Sequence, residues 1–132
     1  MHRYFGSIVA ASLIVVAELA SAQPQDVQAQ KYPDVLNVKV QARGDHRFDF
    51  DVTVSSPYDA PQRYANAFRV TRADGRMYGE RKLLHDHANE QPFTRDLYGV
   101  ELPAGVQSVI VQARDLKNGY GGKSMEVKLP GR

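Results

Sequence analysis

The feature that most constrains the fold is a strict alternation of apolar and polar side chains in residues 47–55, RFDFDVTVS. Phe48, Phe50, Val52 and Val54 fall on one side of an extended chain, and polar residues occupy the other side. A period of two residues is that of a β-strand with one face buried. This segment therefore predicts a strand whose apolar side faces a core.

Six further segments are also predicted as strands. They are residues 35–42, 65–72, 76–84, 93–97, 106–114 and 123–129, separated by turn formers such as Gly44-Asp45 and Asp74-Gly75. In residues 35–42 the pattern predicts that Leu36, Val38, Val40 and Ala42 face inward. Regular short strands with turn signals between them, and no helix of useful length, are typical of an all-β sandwich. We expect seven strands in one domain over residues 34–132.

Residues 102–130, LPAGVQSVIVQARDLKNGYGGKSMEVKLP, resemble the last two strands of a fibronectin type III-like domain. Such domains often show a Leu-Pro-x-Gly turn, an alternating strand that ends in Ala-x-Asp, a Gly-rich loop and a closing strand before Pro. The resemblance implies an immunoglobulin-like topology. Residues 74–106 are also similar to small exported bacterial proteins of unassigned function, a likeness that implies no activity.

The first 22 residues have the pattern of a secretory signal peptide. Arg3 precedes an apolar run over residues 5–17, and Ala20-Ser21-Ala22 forms an A-x-A cleavage site. The alternative is an uncleaved anchor, against which Glu18 and the helix-breaking Pro24 argue. Residues 23–33 are polar and Gln-rich, so we expect a flexible lead-in. The mature protein is expected in the periplasm or outside the cell, with no membrane span.

Composition excludes several classes of function. The net charge of +2 and the lack of a basic run argue against nucleic-acid binding. Cysteine is absent, which excludes disulfides, thiol nucleophiles and thiolate metal ligands. The sequence has neither a nucleophile elbow nor the histidine spacing of a zinc protease. We therefore expect a non-enzymatic protein without a cofactor.

In an immunoglobulin-like topology, the loops 56–64, 85–92 and 115–122 share one end of the sandwich, which we call the loop end. The turns near Gly44, Gly75 and Gly105 share the other, which we call the turn end. The loop-end segments are long and rich in aromatic and polar residues, as binding loops often are. The candidate binding residues are Tyr58, Asp59, Arg63, Tyr64, His85, His87, Asn89, Glu90, Asp115, Asn118 and Tyr120. The expected partner is an envelope protein or glycan.

His85 and His87 support an alternative function, a zinc or copper site. Two residues apart on an extended chain, they project to one side and could bind a metal with Asp115, Asp59 or Glu90 as an oxygen ligand. A simpler interpretation is that both histidines bond to their own loop. Nearby, Pro92 is expected to fix the chain while Phe93 enters the core. Gly119, Gly121 and Gly122 are expected to adopt positive φ in a turn.

Overall fold

The computed structural model describes residues 29–132 of the chain. The predicted signal peptide and most of the predicted lead-in lie outside these residues. Within residues 29–132, no helix is long and apolar enough to cross a membrane.

The described part of the chain is all-β. Its strands are β1 (Asp34–Gly44), β2 (Arg47–Ser55), β3 (Ala65–Thr71), β4 (Met77–Lys82), β5 (Phe93–Glu101), β6 (Ser108–Asp115), β7 (Gly119–Tyr120) and β8 (Met125–Lys128). Each of the seven predicted segments contains a strand. The two-residue strand β7 is an addition, and it lies in a segment that the sequence predicts as a loop.

The strands form two antiparallel sheets. The first has the order β1-β2-β5, and the second places β3 between β4 and β6. Both β7 and β8 pair with β6, opposite its two ends. The last two segments of the chain therefore form one interrupted edge of the second sheet.

Two glycines, Gly121 and Gly122, lie at this interruption. Gly122 has a φ of 72°, and a side-chain carbon at Gly121 would lie 2.4 Å from the Tyr32 ring. Positive φ was expected for Gly119, Gly121 and Gly122, and it is found at the first and last of these. The expectation was wrong for Gly121, where the absence of a side chain makes room for Tyr32 instead.

The two sheets pack around one hydrophobic core. The inward face predicted for β2 is confirmed, since Phe48, Phe50, Val52 and Val54 are all buried. Further core residues from both sheets are Val35, Phe68, Val70, Leu83, Phe93, Val100, Leu102, Val109, Val111, Ala113, Val127 and Leu129. The expected burial of Phe93 is confirmed, at 1% exposure.

The inward face of β1 was predicted wrongly at its ends. A break in register between Val35 and Asn37 places Val35 in the core and leaves Leu36 exposed. A β-bulge of this kind adds one residue and so reverses the alternation. Val38 and Val40 pack partly against the core as expected, whereas Ala42 is exposed.

The turn end is closed by contacts between successive turns. The Leu102 backbone N–H donates to the His46 carbonyl at 2.8 Å. The Arg132 guanidinium lies 4.9 Å from the Phe48 ring centroid and donates to the carbonyls of Leu102 at 2.8 Å and Val106 at 3.0 Å. His46 thus lies at the opposite end of the molecule from His85 and His87.

Candidate functional site

The three loop-end segments contact one another through hydrogen bonds. The Ser56 backbone N–H donates to Gln91 Oε1 at 2.7 Å, which joins the first loop to the second. The Leu116 N–H donates to the Tyr64 carbonyl at 2.9 Å, which joins the third loop to the start of β3. The topology therefore brings the loops together as the sequence analysis expects.

A buried carboxylate organises the base of the loop end. Asp115 is fully buried, and its Oδ1 accepts the Tyr58 hydroxyl at 2.6 Å and Arg63 Nε at 3.2 Å. Its Oδ2 accepts the backbone N–H groups of Lys117 at 3.0 Å and Asn118 at 2.8 Å. A buried charge needs such a set of donors to offset the loss of water. The hydrogen-bonding capacity of the Asp115 carboxylate is thus filled by groups of the protein itself.

Tyr58 belongs to this internal base as well. Its ring is buried beneath the Arg63 guanidinium, which lies 4.0 Å from the ring centroid. Burial, together with the Asp115 carboxylate, raises the pKa of the Tyr58 hydroxyl far above its usual value. The hydroxyl therefore acts as a fixed hydrogen-bond donor to Asp115.

The segment before β1 is attached to the same base. Arg63 Nη2 donates to the Gln30 carbonyl, and Asn118 Nδ2 donates to the Lys31 carbonyl at 3.1 Å. Pro33 is buried. Residues 30–33 thus lie against the loop end.

Asp59 is a second buried carboxylate, and it connects the first two loops. It accepts the Ala65 backbone N–H at 3.0 Å and the His87 backbone N–H at 3.1 Å. Burial raises the pKa of its carboxyl group, an effect that these hydrogen bonds partly offset. Asp59 therefore holds the 85–92 loop against the start of β3.

His87 is buried, with its ring stacked on Phe93 at a centroid distance of 3.9 Å. Its Nδ1 lies 3.8 Å from Asp59 Oδ2 and has no hydrogen-bond partner among residues 29–132. Burial lowers the pKa of the His87 imidazole, and the charges of Arg95 and His85 lower it further. Because the lowered pKa disfavours the protonated imidazole, the 3.8 Å approach of His87 Nδ1 to Asp59 is not an ion pair at neutral pH.

The geometry of the described residues provides no cluster of metal ligands to support the zinc or copper hypothesis. The rings of His85 and His87 lie 5.1 Å apart, and His85 Nδ1 lies 2.9 Å from the Asp86 carbonyl oxygen. Within the described residues, no group of three or more His, Cys, Asp or Glu side chains is arranged to hold a metal ion. A metal at His85 and His87 stays a prediction.

The other candidate binding residues lie nearer the surface. His85, Asn89, Glu90 and Asn118 are exposed. Glu90 forms an ion pair with Arg95, with Oε2 3.0 Å from Nη2, and this contact lowers the pKa of the Glu90 carboxyl group.

Tyr120 is half-buried on the second sheet. The Arg69 guanidinium lies 3.8 Å from its ring centroid, and its hydroxyl donates to Glu80. Burial, followed by the contact with Glu80, raises the pKa of Tyr120 well above its usual value. Tyr120 therefore belongs to the outer side of the sheet and not to the tip of the loops.

The loop end also has an apolar part, which was not predicted from the sequence. The Leu84 side chain is 83% exposed and Leu116 is 41% exposed, and both flank the half-buried Tyr64. The Tyr64 hydroxyl lies 3.5 Å from the Leu84 carbonyl oxygen, and the Tyr64 carbonyl accepts the Leu116 N–H. We call Tyr64, Leu84 and Leu116 the loop-end rim.

The sequence does contain a signal for this rim. Leu83 and Leu84 are adjacent, so a strand that buries one must turn the other outward. Leu83 is the buried one. The structure thus identifies Leu84 as the member of the pair that is available to a partner.

The turn end contains a larger cavity that the sequence analysis did not predict. Its volume is about 510 Å³, and its walls include Arg72, Arg76, Tyr78, Ile110 and Glu126. The cavities at the loop end are smaller, about 290 Å³ each.

Comparison with known proteins gives one informative match. No family model matches the chain, and no solved structure is significantly similar to it. A protein of Halomicrobium mukohataei described as a "Putative lipoprotein" is 36% identical to this chain over 94 residues. The match covers 71% of this chain and 46% of the relative, so the chain spans about half the length of the protein it matches.

Proposed function

We propose that this protein is an exported, non-enzymatic binding domain with an immunoglobulin-like fold, which contacts an envelope protein or glycan through its loop end. The observation that carries the proposal is the loop-end rim, where two exposed leucines flank Tyr64 above a hydrogen-bonded base. Exposed apolar clusters bordered by polar residues are typical of interaction surfaces.

Export is supported by two independent observations. Residues 1–22 have the sequence of a signal peptide. The relative of Halomicrobium mukohataei is described as a lipoprotein, which favours an envelope-associated location for this chain too. This sequence contains no cysteine on which to carry a thiol-linked lipid. We therefore propose a periplasmic or secreted location.

The strand order supports an immunoglobulin-like topology. In immunoglobulin nomenclature, β1, β2 and β5 correspond to strands A, B and E of the first sheet. In the second sheet, β4, β3, β6 and β8 correspond to strands C′, C, F and G, and β7 is a short strand before G. This order is close to the two sheets of the immunoglobulin fold. In that fold the loops after strands B, C′ and F lie at one end, as the hydrogen bonds between them support.

The hydrogen bonding of the buried acids favours a non-enzymatic role. Both oxygens of Asp115 are engaged by two donors each, and Asp59 holds two backbone N–H groups. A general acid or base needs a proton position that is open to substrate. These carboxylates instead fix the shape of the loops.

The proposed function is tested by affinity capture from an envelope extract. We expect the wild-type protein to retain a specific partner. The Leu84→Asp variant should capture at least about tenfold less of this partner, because a charge buried in an apolar contact loses its water without compensation. Met77→Asp is the matched control, since Met77 is 52% exposed near the turn end. Equal capture by both variants would contradict the proposal.

A further inference from the structure

A small hollow lies beside the loop-end rim on the outer side of the second sheet. Its volume is about 290 Å³, and it is lined by Tyr64, Asn66, Lys82, Leu83, Leu84 and Arg114. Lys82 and Arg114 are both register partners of Ala67, one from each neighbouring strand. Since the next residue, Phe68, faces the core, Ala67 and its two basic neighbours face outward.

An unsatisfied acceptor lies in the wall of this hollow. Asn66 Oδ1 is buried and has no hydrogen-bond partner among residues 29–132. A buried acceptor without a donor costs about 1–3 kcal/mol, and native proteins rarely leave one without a reason. Because this atom is closed to solvent, a ligand N–H group in the hollow would supply the missing donor only after the Asn66 side chain rotates toward it.

The charged residues that line the hollow have one sign. Lys82 and Arg114 form no ion pair within the described part of the chain, and no carboxylate lines the cavity. Glu80, two residues before Lys82 on β4, accepts the Tyr120 hydroxyl. The Arg114 guanidinium lies 5.8 Å from the centroid of the same tyrosine ring. The hollow is therefore complementary to an anion.

We propose that this hollow binds the carboxyl-terminal residue of a partner protein. Lys82 and Arg114 pair with the terminal carboxylate, and an apolar last side chain packs against Leu84 and Tyr64. The Asn66 side chain rotates toward the hollow, and its Oδ1 accepts the last backbone N–H. This inference rests on the proposed function, because it names the part of a partner that the loop end recognises.

The arrangement favours a peptide terminus over an acidic glycan. A peptide that ends in an apolar residue carries an anion, an N–H donor and an apolar group on three adjacent positions. The hollow is lined by two cations, the Asn66 side chain and an apolar wall within the same 290 Å³. Capture of a carboxylate terminus is a recurring mode of peptide recognition. An acidic sugar has no apolar side chain to cover Leu84.

The proposal is tested by fluorescence anisotropy with the full chain as purified. The probe is a labelled hexapeptide that ends in Ala-Leu with a free carboxylate, compared with the same peptide as its C-terminal amide. We expect the free acid to bind at least about tenfold more tightly, since a charge-assisted contact is lost in the amide. Equal affinities would overturn the proposal.

Variants then locate the binding. The Lys82→Gln, Arg114→Gln double variant should remove the preference for the free acid, and Asn66→Leu should weaken binding of both peptides. The Arg72→Gln, Arg76→Gln double variant removes two charges at the turn end and should change neither affinity. Thermal unfolding of each variant checks that the fold is retained. Loss of binding in the Arg72/Arg76 variant would place the peptide in the turn-end cavity and overturn the inference.

The two proposals fail in different ways. If neither peptide binds while Leu84→Asp still releases the envelope partner, the loop end is the interface but the carboxylate hypothesis is wrong. If an oligogalacturonate probe binds in place of the peptide and Lys82→Gln, Arg114→Gln abolishes it, the ligand is an acidic glycan and the peptide proposal is overturned. If Leu84→Asp releases nothing from the extract, the proposed function itself fails.

Discussion

Asp115 is the residue on which the loop end depends most. Its buried carboxylate accepts Tyr58, Arg63 and two backbone N–H groups. Asp115→Ala would leave all of these donors without a partner, and removal of one side of a buried charged network costs about 3–5 kcal/mol. We expect the free energy of unfolding, measured by urea denaturation, to fall by this amount.

Tyr58→Phe is the matched control for that measurement. It removes a single hydroxyl donor to Asp115 and keeps the ring beneath Arg63. We expect a loss of about 1–2 kcal/mol, since the carboxylate keeps its other donors. If Asp115→Ala costs no more than Tyr58→Phe, the base is not organised by the carboxylate.

His87 makes the stability of the fold depend on pH. Burial lowers the pKa of its imidazole below the usual 6.5. As the pH falls, the unfolded state therefore takes up a proton at a higher pH than the folded state does. The stability contributed by neutral His87 is therefore present above pH 6.5 and is lost as the pH falls through the lowered pKa.

The test compares the wild type with His87→Phe, which keeps an aromatic ring on Phe93 and does not titrate. Urea unfolding at pH 8 and pH 5.5 should show a decline for the wild type that the variant lacks. Asp59 is the closest group with an opposing effect. Its raised carboxyl pKa means that the folded state gains stability as the pH falls and the carboxyl group takes up a proton. Parallel declines in both proteins would contradict the assignment to His87.

At the scale of elements, the sequence predicts best where the alternation is uninterrupted. In β2 the alternation of Phe48, Phe50, Val52 and Val54 gives the correct inward face. In β1 the bulge after Val35 reverses the faces, and no local residue type marks it. Asp49 shows a related limit, because the tertiary fold buries it with the Gly99 N–H as a donor at 2.9 Å. The polarity of Asp49 alone would predict that its side chain is exposed to solvent.

Gly121 tests the interruption between β7 and β8. Gly121→Ala would place a carbon 2.4 Å from the Tyr32 ring, and insertion into a packed site typically costs about 1–3 kcal/mol. We expect a lower midpoint of thermal unfolding and a shifted Tyr32 ring signal in NMR spectra. Gly105→Ala is the control, since no atom lies within 4 Å of the added carbon. A Tyr32 signal that stays unchanged would contradict the contact.

At the scale of the whole molecule, the sequence predicts which end carries the irregular loops but not which residues are free to bind. Tyr58, Asp59, His87 and Asp115 have the side chains of binding residues, yet the fold uses them to join its own loops. Sequence cannot make this distinction, because the donors for Asp115 come from positions up to 57 residues away. Exposed Leu84 has the opposite character, since its apolar side chain alone does not indicate that it is free to bind.

The central claim is that a partner contacts this protein at the loop-end rim. The most direct measurement places a photo-crosslinking amino acid at position 84, and at position 77 as a control, and irradiates cells that export each variant. The account predicts a discrete crosslinked partner at position 84 that Lys82→Gln, Arg114→Gln diminishes and that is absent at position 77. Adducts of equal yield at both positions, or at position 77 alone, would contradict it.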